Sequence, residues 1–178
     1  LSPKKCAVTI SKKEQVSPPK TSIHMAVAPT KNMDRFEWFL EKATELGAHR
    51  ITPILCSRSE RKQLKLERCN KIIAAALKQS LRAYAPILDP LTTLKDLHTT
   101  ASVSFMAHCE KSIKKPLKEA VLNQYVCCIL IGPEGDFTEE EIAWAVDKNI
   151  HPVDLGDARL RTETAALIAL HTALLVNP

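Results

Sequence analysis

From residue 22 onward, apolar and polar positions alternate between two periods, and that alternation predicts the fold. "SIHMAVAP" (22–29), "RITPIL" (50–55), "SVSFMAH" (102–108), "YVCCILIG" (125–132) and "PVDLG" (152–156) read as strands. The continuous apolar run of "YVCCILIG" is what a strand buried on both faces of a parallel sheet requires. Helical spacing lies between them. In "NMDRFEWFLEKATELG" (32–47), Asn32 is placed to cap, Phe36, Phe39, Leu40 and Ala43 form one stripe, and Gly47 stops the helix. A second helix is predicted over 66–82, with Cys69, Ile72, Ile73, Ala76 and Leu77 on one face. A short helix is predicted near "PLKEAVLN", another over 138–149 and a closing one over 162–176. Strands alternating with helices predict an α/β class, with a mainly parallel sheet and helices on both faces.

Residues 1–21 do not share this pattern. A short apolar patch, "CAVTI", is followed by "SKKEQVSPPKT", which reads as the last strand of a preceding unit and a linker; residues 22–178 form the one domain. The chain starts at Leu1 rather than Met, as a trimmed piece of a longer protein would. Composition adds limits. Of 178 residues, 45% are hydrophobic and 25% charged, ordinary proportions for a globular domain. No apolar run approaches the ~20 residues needed to span a bilayer, so no membrane association is expected. The net charge of +5 permits an anionic partner such as RNA without demanding one. Six cysteines show no C-x-x-C spacing, so no metal site is written here; Cys127 and Cys128, adjacent in an apolar run, read as small core hydrophobes. A reducing cytoplasm fits that usage.

Two strand–turn–helix junctions carry candidate chemistry. In "VCCILIGPEGDFTEEEI" (126–142), a buried strand runs into Gly132-Pro133-Glu134-Gly135. Two readings fit: a tight turn followed by a capping box of Thr138 and Glu141, or a loop whose exposed amides receive a ligand. The loop lacks G-x-G-x-x-G and the Gly-Lys-Ser/Thr ending of a phosphate loop, and its acidic residues would repel a pyrophosphate. A neutral or cationic nucleotide-like ligand suits it better. In "DLGDARLRTETAALIAL" (154–170), Arg159 and Arg161 precede Thr162, a natural N-cap, and Glu163. Cations oppose the dipole of a helix N-terminus, so the arginines need another role: gripping an RNA phosphate, stabilising charge on a base, or pairing with acidic neighbours.

These two stretches, "LIGPEGDFTEEEI" and "LGDARLRTETAALIAL", together with "EWFLEKATELGAHRITPILCSRSERKQLKLERCNKII" and "KQSLR", closely resemble the RsmE-type enzymes of the SPOUT methyltransferase superfamily. The resemblance runs from Ser22 to Val176. It implies a C-terminal trefoil knot, a homodimer, and methylation of N3 of a uridine in 16S ribosomal RNA of the small subunit with S-adenosyl-L-methionine. Carried over by position, the cofactor pocket takes Leu130, Gly132, Pro133, Glu134 and Gly135 from the first motif. Leu155, Gly156, Leu160, Arg161, Thr162, Thr164 and Ala165 come from the second, with Ala107 and His108 as the remaining wall. Arg161 is the expected catalytic residue, and His108 and Glu163 are the candidate proton acceptors. The RNA surface is expected at Arg58, Arg61, Lys62, Arg82 and Arg159, with Lys65 and Arg68 in the same basic run.

The chain departs from the family in three places. Asp136 stands where many relatives have a second glycine. Ala158 stands where many have arginine, with Arg159 one step later. Of the N-terminal PUA-like RNA-binding domain that the family carries, only the tail remains, in residues 1–21. Three alternatives compete with this reading. A SPOUT enzyme acting on another RNA position is disfavoured by "RLRTET". A non-catalytic assembly factor would have no use for Gly132, Gly135 and Arg161 together. A nicotinamide or ATP enzyme would need the absent phosphate loop.

Overall fold

The structure is a computed structural model that describes residues 8–178. Its strands are β1 (Ser22–Val27), β2 (Arg50–Leu55), β3 (Ile87–Leu88), β4 (Thr92–Thr93), β5 (Val103–Ala107), β6 (Lys115–Pro116), β7 (Val126–Ile131) and β8 (Ile150–Asp154). Its helices are α1 (Met33–Leu46), α2 (Leu66–Gln79), α3 (Leu117–Ala120), α4 (Glu139–Asp147) and α5 (Thr162–Val176). The eight strands join one sheet in the order β3-β2-β1-β7-β5-β8-β6, with β4 also on β2, and every pairing is parallel. The α/β reading with a parallel sheet is therefore the observed architecture. Among the described residues, no helix is long and apolar enough to cross a membrane. Of the apolar patch 6–10, Cys6 and Ala7 lie outside the described residues; Val8, Thr9 and Ile10 are exposed and form no strand.

The two-residue alternation explains why β1 and β7 are apolar throughout. Ile23, Met25 and Val27 of β1 and Cys127, Ile129 and Ile131 of β7 face one side. There they meet Phe36, Phe39, Leu40 and Ala43 of α1, Cys69 and Ile73 of α2, and Ala166, Ala169, Leu170 and Ala173 of α5. Ala26, Cys128 and Leu130 face the other side, against Ile54, Leu94, Phe137 and Ala145 of α4. Cys127 and Cys128 are fully enclosed, and burial pushes both thiols up to about 12, as core hydrophobes require.

Local signals set most boundaries. Asn32 caps α1 by accepting from Asp34 N at 3.0 Å, and Gly47 closes it in a left-handed conformation. Both halves of the Thr138–Glu141 capping box are made at α4. Other boundaries differ from the sequence reading. α2 ends at Gln79, three residues early, because the chain turns at Ser80. β8 starts at Ile150, two residues before the expected Pro152. The helix near "PLKEAVLN" is a single turn, and β3, β4 and β6 were not anticipated, since two residues carry no period.

After β8, at the far side of the sheet, α5 crosses back to pack on α1, β1 and β7. Its end is fastened by Asn177, whose Nδ2 donates to Val121 O at 2.8 Å and Ala173 O at 3.0 Å.

One buried polar cluster lies away from the sheet's carboxyl edge. His24 Nε2 lies 2.7 Å from Thr52 Oγ1 and Nδ1 lies 3.3 Å from Thr99 Oγ1, while Thr52 donates on to Asp89. Burial lowers the His24 pKa from 6.5 to about 4, with Asp89 opposing. The unfolded chain therefore takes up this proton at a higher pH than the folded one. His24 contributes stability above pH 6.5 that is lost as pH falls toward 4, at most about 3 kcal/mol. Thermal melts between pH 7 and pH 4 should show a shallower acid decline in His24→Gln than in wild type. Equal slopes would remove His24 from the acid response.

Candidate functional site

The parallel register brings four strand ends to one edge. Val27 pairs with Ile131, Ile131 with Ala107, and Ala107 with Val153. The loops after β1, β5, β7 and β8 therefore leave the sheet side by side, the position at which open α/β sheets receive ligands.

The loop after β7 is a tight turn. Asp136 N donates to Pro133 O at 2.9 Å. Leu130, Gly132 and Pro133 are buried, whereas Glu134 and Gly135 are exposed. Beneath the turn lies Phe137, fully enclosed; a Cβ at Gly132 would meet its ring at 3.0–3.4 Å. Three separate segments hold the turn. Lys31 N donates to Glu134 Oε1 at 2.9 Å, and Cys109 N donates to Asp136 Oδ2 at 2.7 Å. The Arg58 guanidinium donates to Gly135 O at 2.9 Å and Phe137 O at 3.2 Å. Gly-Pro-Glu-Gly is thus a tight turn ahead of a capped helix, standing at the sheet edge where open α/β folds receive ligands.

The loop after β8 joins it directly. Thr162 was expected to cap α5, but the N-cap is Arg161, and Thr162 is the first helical residue. The Thr162 hydroxyl instead donates to Gly132 O at 3.1 Å, so the two motifs form one wall. This correction has a tertiary cause, because the hydroxyl finds a carbonyl 30 residues away in place of a local amide. Gly156 has φ +105°, which side chains disfavour, and a Cβ there would meet nothing within 4 Å, so its face is open. Leu155, Leu160, Thr164 and Ala165 are half-buried around it, and Arg159 and Arg161 are exposed. Neither arginine makes a side-chain hydrogen bond or ion pair among the described residues. Leu155 and Gly156 also line a cleft of about 390 Å³ whose opposite wall, Pro116 and Leu117 with Ile168 and Thr172, the sequence did not reveal.

The third wall follows β5. Ala107 is half-buried and His108 buried, with both ring nitrogens unpartnered. Burial first, and Lys114 second, hold the His108 pKa below 6.5, so the ring is neutral at pH 7. Glu163 is buried too; its Oε1 lies 3.8 Å from Arg35 Nε and its Oε2 has no partner.

The expected basic surface divides. Arg61 donates to Lys31 O at 2.8 Å, and Arg82 caps α1 through Glu45 O and Leu46 O at 2.9 and 2.6 Å. With Arg58 on the turn, three of these arginines are engaged by backbone carbonyls. Arg68 pairs with Glu37, while Lys62 is exposed. The turn itself carries the carboxylates of Glu134 and Asp136, and of the nearby arginines Arg58 is spent on its carbonyls while Arg159 and Arg161 are uncommitted among the described residues.

Residues 17–174 match the model of the RNA methyltransferase domain. The chain belongs to that family. It is 34% identical over 170 residues to the Ribosomal RNA small subunit methyltransferase E of Synechocystis, covering 91% of this chain and 55% of that protein. A probable rRNA-methyltransferase from Porphyromonas gingivalis superposes with TM-score 0.83 at 34% identity, over 92% of this chain and 71% of that one. A Ribosomal RNA small subunit methyltransferase E from Neisseria gonorrhoeae, bound to S-adenosyl methionine, gives TM-score 0.78 at 27% identity, over 88% and 66%. The chain thus spans about half the length of the Synechocystis relative. Within this RNA methyltransferase domain, both motif turns and the end of β5 meet at the one edge described above.

Proposed function

We propose that the chain is the catalytic domain of an S-adenosyl-L-methionine-dependent methyltransferase that acts on N3 of a uridine in 16S ribosomal RNA. Its sphere is the cytoplasm, its form a homodimer, and residues 1–21 belong to the end of an RNA-binding domain. The observation that carries this reading is the Thr162–Gly132 hydrogen bond, which fuses the two family motifs into one ligand wall at the carboxyl edge of the sheet. The names of the relatives, and the S-adenosyl methionine bound in the gonococcal one, support the same reading. The return of α5 from β8 to α1 and β1 supports the expected trefoil knot, which is rare among folds.

The open face of Gly156 and the acidic side chains of Glu134 and Asp136 on the turn suit this cationic cofactor. Leu130, Gly132, Pro133, Glu134 and Gly135 would hold it from one side. Leu155, Gly156, Leu160, Thr162, Thr164 and Ala165 would hold it from the other, with Ala107 and His108 as the end wall. When bound, S-adenosylmethionine supplies an electrophilic methyl on a sulfonium. The protein's task is to hold the uridine ring in line and to stabilise the charge that spreads onto its carbonyl oxygens when the N3 proton leaves. Arg161 presents an uncommitted guanidinium for that charge. His108, with both ring nitrogens unpartnered, and Glu163, with an unpartnered oxygen, are the buried groups at the edge that would take the proton. Arg159 and Lys62 are the exposed cations available to RNA phosphates.

Calorimetric titration with S-adenosylhomocysteine, with NAD and ATP as controls, tests the proposal. Selective binding near one site per chain supports it; preference for NAD or ATP refutes it. Gly135→Val adds a localised test. The new Cβ would stand 3.2 Å from Arg58 Cβ and 3.4 Å from its Cδ, so the side chain that holds two carbonyls of the turn must shift by a few tenths of an ångström, and the valine methyl groups crowd it further. Overpacking of this kind should weaken S-adenosylhomocysteine binding by about ten- to a hundredfold. Wild-type affinity in that variant would mean that the turn is not in the pocket.

A further inference from the structure

Asp136 occupies a backbone conformation that glycine adopts more readily. Its φ is +61°, in the left-handed region that disfavours side chains. Two backbone donors meet its carboxylate. Phe137 N donates to Oδ1 at 2.8 Å, a local bond of the kind that lets aspartate hold this conformation. Cys109 N donates to Oδ2 at 2.7 Å and comes from another loop, 27 residues earlier. That loop is otherwise fastened to itself: Lys114 Nζ donates to His108 O at 2.6 Å and to Glu110 O at 2.9 Å. Among the described residues, the bond to Asp136 is the one hydrogen bond between the 108–114 loop and the Gly-Pro-Glu-Gly turn. Beyond the β5–β7 strand pairing, one carboxylate therefore joins these two walls of the site.

We propose that Asp136 is a positioning residue: its carboxylate sets the 108–114 loop against the turn and so preforms the cofactor cleft. This rests on the methyltransferase reading above. Preforming a cleft raises affinity by sparing the ligand the ordering of the loop. The role follows from the hydrogen bonds and not from charge, so it serves a sulfonium and its neutral thioether product alike.

The test compares wild type, Asp136→Gly and Asp136→Asn by calorimetric titration with S-adenosylmethionine and S-adenosylhomocysteine, alongside hydrogen exchange of residues 108–114 without ligand. Glycine relaxes the backbone while removing the clasp. It should leave Tm near that of wild type, speed exchange over 108–114, and weaken both ligands by about tenfold. Asparagine keeps one acceptor oxygen and should recover most of the affinity. Unchanged affinity in Asp136→Gly overturns the proposal. A loss confined to S-adenosylmethionine also overturns it, since that pattern belongs to attraction between carboxylate and sulfonium. If wild type binds neither ligand, the cofactor reading fails and this proposal with it; the exchange data then separately show whether the carboxylate fastens the loop.

Discussion

Arg161→Ala is expected to abolish methyl transfer to small ribosomal subunits, by at least about 10²–10³-fold, the usual effect of removing a donor aimed at developing negative charge. Affinity for S-adenosylhomocysteine should stay within about tenfold, because the loss lies in the transition state and not in cofactor binding. The structure makes this variant a clean one. Arg161 is the N-cap of α5, and its backbone carbonyl already accepts from Ala165 N at 2.8 Å, so the position of its Cα does not depend on the side chain. Its guanidinium is exposed and unengaged among the described residues, unlike those of Arg58, Arg61 and Arg82. A cation at a helix N-terminus works against the helix dipole, so alanine should not lower Tm. A loss of turnover without a loss of stability then has to arise at the substrate. Arg161→Lys keeps the charge but not the planar fork and should recover only part of the rate. Turnover at the wild-type level in Arg161→Ala would falsify the assignment.

Phe137→Ala should cost about 3–5 kcal/mol in chemical denaturation, the usual range for a fully buried phenylalanine. That is a large share of a domain's total stability of about 5–15 kcal/mol. The ring is wholly enclosed between the sheet and α4, in the cluster of Ala26, Leu130, Cys128 and Ala145. It also lies directly against Gly132, so its removal takes away the floor of the first turn. Cofactor affinity should therefore fall further than the folded fraction alone accounts for. Phe137→Leu, which keeps most of the volume, should cost under about 1.5 kcal/mol. A loss below that figure for alanine would show that the turn is supported by something other than this ring.

Period and capping carried much of the structure in local sequence. α1 could be placed to within a residue because Asn32, the stripe from Phe36 to Ala43, and Gly47 each act within one or two turns of the chain. β7 was legible because a strand covered on both faces has no polar side to show. The two motifs could be paired because each places glycine at a strand end before a helix. The departure at Asp136 was also visible in the sequence, although its consequence was not.

Contacts between distant residues were decided only by the tertiary structure. Thr162 has the chemistry of a cap, and nothing near it in the chain shows that its hydroxyl meets Gly132 instead. Arg58 and Arg61 of the basic run, and Arg82 beyond it, were expected at an RNA surface; their partners are carbonyls 30 to 79 residues away, brought within reach by parallel pairing of β1, β2 and β7. Likewise, Asp136 meets Cys109 because Ala107 and Ile131 are register partners. A hydrogen bond needs its two groups within about 3 Å, and local sequence specifies only which groups are available. The sequence by itself therefore determined the class of fold, the core faces and the residues at the candidate site. Which of those residues line the shared edge, and which hold the others in place, was decided by the parallel sheet that set four loops side by side.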